Sequence, residues 1–471
     1  MSPERLVVVG NGMASARLCE ELVARGYDGR VTVLGDEPGP AYNRILLSAV
    51  LEGTHPLDAL TLRDLGWYAE RGIDLRTGAR VLDVDRDASE VMLVDGTRIG
   101  YDRLVLATGS IPTLPPIRGL VRMDGRLHPK VHAFRSLADS LRLLGALPEA
   151  RRAVVVGGGL LGLQVARALS VRDIATEVVE GAEHLLSRQV DERGGTVLRR
   201  SLGRLGTEVY TGSRAVRLTD AGLRLDNGYT LETDLVVLAA GGRPATALAR
   251  RAGLFCRRGI VVGSHLESVT DDRVHALGDC AEHAGRTTGF VAPAWEQASV
   301  LADHLTRGSA TYDGARSVAR LRATGLDVAV LGDPERTDGE VVEVTNPIAG
   351  THRKLVVRGG AIVAAALVGD LSRIGLITQL YDRRTVLGPH EPGELLMAGR
   401  PPGDGSTLLP DDAEVCACAG VSAGRIRACT DLDDARATTR ATTGCGGCTG
   451  AVRDLLAART APGTAALSFH A

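Results

Sequence analysis

Four cysteines near the C-terminus, Cys416-Ala-Cys418 and Cys445-Gly-Gly-Cys448, form two close pairs able to supply four thiolates to a metal centre. A 2Fe–2S cluster needs four such sulfurs, two on each iron. Structural zinc also takes four cysteines but favours C-x-x-C or wider pairs, and a single residue separates Cys416 from Cys418. Both readings stand, with the tight pair favouring iron and sulfide. Far upstream lie two glycine-rich turns, Gly10-Asn11-Gly12-Met13-Ala14 and Gly157-Gly158-Gly159-Leu160-Leu161-Gly162. Such turns aim backbone N–H groups at a pyrophosphate. Two nucleotide turns followed by a thiolate cluster are suited to converting two-electron hydride chemistry into single-electron delivery.

Each turn needs a strand before it and a helix after it. Leu6–Val9 reads as a buried strand, a helix runs from Gly12 to about Arg25, and Val31–Leu34 reads as the next strand. The pattern recurs in Ala153–Val156, a helix from Leu160 to about Arg172, and Thr176–Val179. The expected fold class is α/β, with two Rossmann-like dinucleotide-binding domains. In the first unit Ser15 stands where a third glycine or alanine is usual. Asp36 and Glu37 follow the second strand and either can hold an adenosine ribose, while Arg44 can reach a pyrophosphate. In the second unit Glu180 closes the next strand. An acid there accepts a ribose 2′-OH and repels a 2′-phosphate, so NADH is expected over NADPH. Leu104–Ala107 ends at Thr108-Gly109 and Leu235–Ala240 ends at Gly241-Gly242, glycines that let backbone approach a ligand closely. Asp279, in Leu277-Gly278-Asp279, can bind a ribityl hydroxyl. Singly, each of these acids reads more readily as a surface charge or turn; the ordered set carries the weight.

A chain of 471 residues accommodates about three domains. The expected division is 1–112 with 241–310 as one dinucleotide domain, 113–240 as the other, and 311–388 as a small α/β domain. A Pro/Gly-rich linker over 389–412 and a small helical cysteine module over 413–458 complete it. Alternation in Arg80–Val84 and Val91–Val94 around Asp95-Gly96 predicts an antiparallel ribbon. The cysteine module is too small to fold without its metal. A net charge of −2 gives no sign of a nucleic-acid or membrane partner. The longest apolar run, Ala361–Val368, is too short to cross a bilayer, and no signal-peptide core follows Met1. Eight clustered cysteines fit metal chemistry in a reducing cytoplasm better than a disulfide framework. No cysteine lies between Gly26 and Gly253, which leaves no redox disulfide beside a nucleotide; Cys19 and Cys429 read as packing, and Cys280, beside Asp279 near the expected flavin, has no evident base to activate it.

In this order, Gly10-x-Gly12, Ala107-Thr108-Gly109, Gly157-x-Gly159-x-x-Gly162 and Gly278-Asp279 resemble the two-dinucleotide-binding flavoproteins. More closely, Val8–Ala14, Tyr42–Ser48 and Gly278–His283 resemble the N-terminal half of NADH-dependent assimilatory nitrite reductase large subunits. Electron-transfer subunits of assimilatory nitrate reductase share these features. The cysteine module resembles bacterioferritin-associated ferredoxin. The resemblance implies FAD on the first fold, NADH on the second and a 2Fe–2S cluster in the tail. It also exposes departures: a Glu–Lys pair near the flavin in many relatives corresponds here to Gln164 and Ala49. An amide at Gln164 can still hold the nicotinamide carboxamide. A helix beginning near Pro293 is expected to aim its positive end at the flavin, with Trp295 either flanking the ring or packed. No counterpart of a sirohaem domain is found, so an electron-transfer subunit serving a separate nitrate or nitrite reductase is expected. The alternatives are an NADH:ferredoxin reductase feeding a P450 or oxygenase, and a redox or iron sensor docking an iron-storage protein.

Overall fold

The computed structural model describes residues 3–314, 318–397, 409–416, 419–442 and 448–460. Two five-stranded parallel sheets dominate it. The first runs Val274–Ala276, Arg103–Leu106, Arg5–Val9, Arg30–Leu34, Asp74–Arg76. The second runs Thr207–Tyr210, Ala175–Val179, Arg152–Val156, Leu235–Leu238, Val131–Ala133. Both central strands read as unbroken apolar runs because both faces are covered, one by helices and the other by an antiparallel ribbon. Leu6, Val8, Val154 and Val155 are fully buried, each stabilising the fold by about 1.5–3 kcal/mol.

The first sheet is assembled from both ends of a long stretch of chain. Its outer strand, Val274–Ala276, pairs with Arg103–Leu106 after the whole second sheet has intervened. An antiparallel pair, Ser110–Pro112 with Gly242–Pro244, joins the two units at the crossing points. The expected ribbon is present as Val81–Asp85, Glu90–Leu93 and Arg98–Gly100, turning at Gly96 in the left-handed region (φ +86°). A second ribbon over Ala215–Leu231 escaped sequence reading.

The third unit is a five-stranded antiparallel sheet, ordered Val318–Ala323, Leu326–Leu331, Ala361–Val368, Thr351–Arg358, Glu340–Asn346. Helix Ile374–Arg383 packs on it through Ile374, Ile377 and Tyr381. Part of the stretch expected as linker is ordered: residues 391–396 form a helix that buries Leu395 and Leu396. Pro392 sits in its first turn, where a missing N–H costs nothing. Residues 398–408 lie outside the described residues.

The tail pairs Glu414–Cys416 with Val421–Ser422, continues through helix Ala423–Arg427 and a π-turn at Ala435–Thr439, and ends in helix Thr449–Thr460. Among the described residues its core is ten small or medium side chains, Cys416 and Cys448 among them. So small a core is marginal without a metal. Among the described residues no helix is long and apolar enough to cross a membrane.

Candidate functional site

At the end of the first central strand Gly10 takes φ +113°, and a Cβ there would lie 2.2 Å from the Ala107 carbonyl oxygen. Its N–H donates to the Leu34 carbonyl, so the turn is locked between two neighbouring strands. Gly157 repeats this with φ +118° and a Cβ that would lie 2.5 Å from the Ala239 carbonyl oxygen. Gly162 lets its helix press on the strand, since a Cβ would fall 1.9 Å from the Gly157 carbonyl oxygen. The second glycine of each turn is different. Gly12 and Gly159 cap helices Met13–Ala24 and Leu160–Val171 without a side-chain hydrogen bond, and a Cβ at either would meet nothing within 4 Å. Two helix N-termini thus present unsatisfied N–H groups over open cradles, as a diphosphate requires. At the irregular third position Ser15 is fully buried, and its hydroxyl has no hydrogen-bond partner.

The acids distribute unevenly. Asp36 is exposed and lines a cavity of about 730 Å³ together with Gly10, Thr108 and Arg243. Glu37 is engaged: its carboxylate accepts the Tyr42 hydroxyl at 2.9 Å and an Arg44 guanidinium N–H at 2.5 Å. Two residues expected to hold different parts of a nucleotide therefore hold each other. Thr108 donates its hydroxyl to the Ala245 carbonyl, and Gly109 adopts φ +67° with open space around it. Glu180 accepts the Gly158 N–H at 2.6 Å and the Ala182 N–H at 2.8 Å, which fixes the acid against the second glycine turn.

Gly278 brings Asp279 to the first turn, with its φ of +76° and a would-be Cβ 3.1 Å from Ala14. The Gly278 N–H donates to Gln297, a buried side chain of helix Val291–Leu305. The Asp279 carboxylate accepts Ser110 at 2.7 Å and Arg135 at 2.6 Å. Arg135 also lies against Gly242, where a Cβ would approach its guanidinium to 3.1 Å. Sequence reading missed Arg135 and Gln297. Neither sits in a motif: the crossing of the two units brings in Arg135, and a helix of the first unit itself brings in Gln297. Burial pushes the Cys280 thiol up, and the S–H donates to the Leu106 and Leu277 carbonyls; the Cys19 thiol is pushed by burial up to about 12. Both stay protonated packing residues.

Gln164 and Ala49 open on the same space. They line one cavity of about 460 Å³ between helices Leu47–Glu52 and Leu160–Val171. Its remaining wall comes from Arg320 and Asp327 of the third unit and from Arg436, Thr442 and Thr449 of the tail. All four parts of the chain converge there.

Of the four candidate metal ligands, Cys416 and Cys448 share the tail core, while Cys418 and Cys445 lie outside the described residues. The Thr442 N–H donates to Cys448 Sγ at 3.2 Å. Arg440 and Thr442 both sit in the left-handed region, at φ +61° and +68°. Uncommon backbone held at that cost next to a sulfur fits a thiolate that takes N–H donors. Cys429, 4% exposed, faces Arg425 O and the Thr438 hydroxyl and packs, as expected. Trp295 does not stand free to flank a ring: Arg17 and Arg440 lie over it at 5.7 Å and 5.9 Å.

Two parallel sheets with open glycine cradles, and a thiol module seated where they meet, define a dinucleotide-dependent oxidoreductase. The pyridine nucleotide-disulphide oxidoreductase model matches residues 4–300, and the chain belongs to that family. A BFD-like 2Fe–2S binding domain matches residues 414–458, and the rubredoxin NAD+ reductase C-terminal domain matches residues 318–385. The cofactors are accordingly FAD, NAD(P)H and a 2Fe–2S cluster. The chain is 36% identical to the NAD(P)H nitrite reductase of Bacillus subtilis over 97% of this chain and 58% of the relative. It is 31% identical to the assimilatory nitrate reductase electron transfer subunit of the same organism over 97% of this chain and 60% of the relative. It thus spans less than two thirds of the length of either. The crystal structure of the covalent putidaredoxin reductase–putidaredoxin complex matches with a TM-score of 0.77 and 25% identity, over 85% of this chain and 97% of the other.

Proposed function

We propose that this chain is the NADH-driven electron-transfer component of an assimilatory nitrate or nitrite reductase, working in the cytoplasm and passing electrons to a separate reductase protein. The observation that carries this reading is the shared cavity, where Gln164 and Ala49 face Arg436, Thr442 and Thr449 of the cysteine module. The names of the two Bacillus relatives support the assimilatory setting.

In this reading FAD, when bound, would supply a hydride acceptor for the nicotinamide and the cluster would supply single-electron chemistry. Overall NADH yields NAD+, a proton and two electrons, which leave singly. The chain's own residues bind and orient. Gly10, Asn11, Gly12, Met13 and Ala14 cradle the FAD diphosphate; Asp36, Glu37, Arg44, Thr108, Gly109 and Asp279 hold its sugars and phosphates. Gly157, Gly159, Leu160 and Gly162 cradle NADH, Glu180 takes the ribose hydroxyls, and Gly242 admits the nicotinamide half. The Gln164 amide orients the carboxamide. Cys416, Cys418, Cys445 and Cys448 hold the irons, and the Thr442 N–H favours the more negative, reduced cluster.

An anaerobic NADH titration, followed by visible absorption and electron paramagnetic resonance, tests the reading. Flavin bleaching followed by a 2Fe–2S signal is expected. A tail loaded with zinc, or a cluster that stays silent, refutes it. The fold shared with putidaredoxin reductase favours a second reading, delivery to a small ferredoxin serving an oxygenase. Nitrate reduction reconstituted with a molybdenum-containing subunit separates the two.

A further inference from the structure

The tail is gripped at one point by the first dinucleotide unit. Glu20, on helix Met13–Ala24, is only 11% exposed, and its carboxylate takes Arg63 at 2.8 Å and Arg440 at 2.5 Å. Arg440 is itself 16% exposed and lies over Trp295, on helix Val291–Leu305. Arg17, on the same helix as Glu20, lies over the same indole and also approaches the Glu20 carboxylate, at 3.5 Å. One carboxylate and one indole thus receive an arginine from the tail alongside arginines that never leave the first unit. Both partners are largely shielded, so water and salt weaken this pair less than an exposed one.

The position of Arg440 in the tail gives the contact a purpose. It is the left-handed C-cap of the π-turn Ala435–Thr439, two residues before Thr442, whose N–H bonds Cys448 Sγ. The residue that grips the first unit and the residue that bonds a ligand sulfur belong to one rigid turn. The turn's other arginine, Arg436, donates to the Thr442 hydroxyl at 3.1 Å and lines the cavity with Ala49 and Gln164.

We propose that Arg440, through Glu20 and Trp295, is the positioning residue that seats the cysteine module in its electron-receiving place. The inference rests on the electron-transfer reading above and adds the docking contact. Electron transfer from a bound flavin to a bound cluster would involve no atom transfer, so docking geometry would govern it and hydride transfer would not depend on it.

Stopped-flow measurement on the full cofactor-loaded chain tests this with Arg440→Ala and Arg440→Lys. For Arg440→Ala, flavin reduction by NADH and turnover with ferricyanide are expected unchanged, and cluster reduction at least tenfold slower. The cluster's paramagnetic signal after dithionite should be intact, and Arg440→Lys should recover much of the rate. A readout independent of turnover is a Glu20→Cys, Arg440→Cys chain, expected to be bridged by a bifunctional thiol reagent that spans the two removed side chains, since a direct disulfide needs Cα atoms within about 7 Å. Should Arg440→Ala lose its cluster, Glu20→Gln, outside the tail, gives the same comparison. Cluster reduction by NADH at the unaltered rate in these variants, or no cross-link, overturns the docking role. Failure of NADH to reduce the cluster in the unaltered chain overturns the underlying reading instead.

Discussion

Asp279 and Arg135 form an ion pair at 2.6 Å that ties the end of the first sheet's returning strand to the second unit. Ser110 completes the triangle, donating to the same carboxylate oxygen at 2.7 Å. If Asp279 holds the ribityl chain, Asp279→Ala leaves Arg135 without its carboxylate and the flavin without an acceptor. Losing a charged hydrogen bond costs about 1.5–3 kcal/mol, on the order of a 10- to 100-fold weaker flavin Kd. Titration of the apoprotein with FAD, read by fluorescence quenching, measures it. Unchanged affinity removes Asp279 from the site.

If Glu180 takes the ribose hydroxyls, it governs the choice between nucleotides. Removing it as Glu180→Ala frees the Gly158 and Ala182 N–H groups and the space where a 2′-phosphate would collide with charge. The ratio of kcat/KM for NADH over NADPH is expected to fall roughly 10- to 100-fold, about 1.4–2.8 kcal/mol. A ratio that does not move places ribose selection elsewhere.

The tail offers an internal control. Cys448 and Cys429 are equally buried, yet the sulfur of Cys448 takes a backbone N–H while that of Cys429 faces a carbonyl. Cys448→Ser should abolish the visible absorption of the cluster and about halve the retained iron or worse, and Cys429→Ser should keep both. Iron content per chain, with spectra before and after dithionite, decides between them.

Acid should loosen the first sheet. His275, in its outer strand, is fully buried; burial first, then His304 and Arg103, lower its pKa from 6.5 to about 3. Below pH 6.5 the unfolded chain takes up a proton that the folded chain refuses. The stabilisation is therefore whole above pH 6.5 and drains away as pH falls toward 3. Calorimetry between pH 7 and 5 should show a falling Tm, with a shallower slope in His275→Gln. Parallel slopes rule this histidine out as the cause.

Much of the architecture was legible because it rests on local rules. The strands before Gly10 and Gly157 are continuous apolar runs, and the helices after them start where glycine must. The missed parts depend on chain crossings. Arg135 and Gln297 belong to no motif; Arg135 reaches Asp279 only when the two units interlock, and Gln297 reaches Gly278 only when its helix packs back on the first sheet. The Glu37–Arg44 pair was hidden because each residue had a plausible ligand of its own. Helix 391–396 was obscured by Pro392 and Gly393, which read as breakers although proline is welcome in a first turn. Trp295 was weighed against a ring, and only its arginine neighbours settled what it touches.

The late arrival of strand Val274–Ala276 bears on how a ribosome makes this protein. Nascent residues 5–106 emerge with four of their five strands, then must wait while an entire second unit is translated and closes on itself. At ~5–20 residues per second that delay is on the order of 10 s. Throughout it the edge of Arg103–Leu106 stands open to stray pairing. Nascent chains stalled shortly before and after His275 clears the exit tunnel should therefore differ sharply in protease resistance.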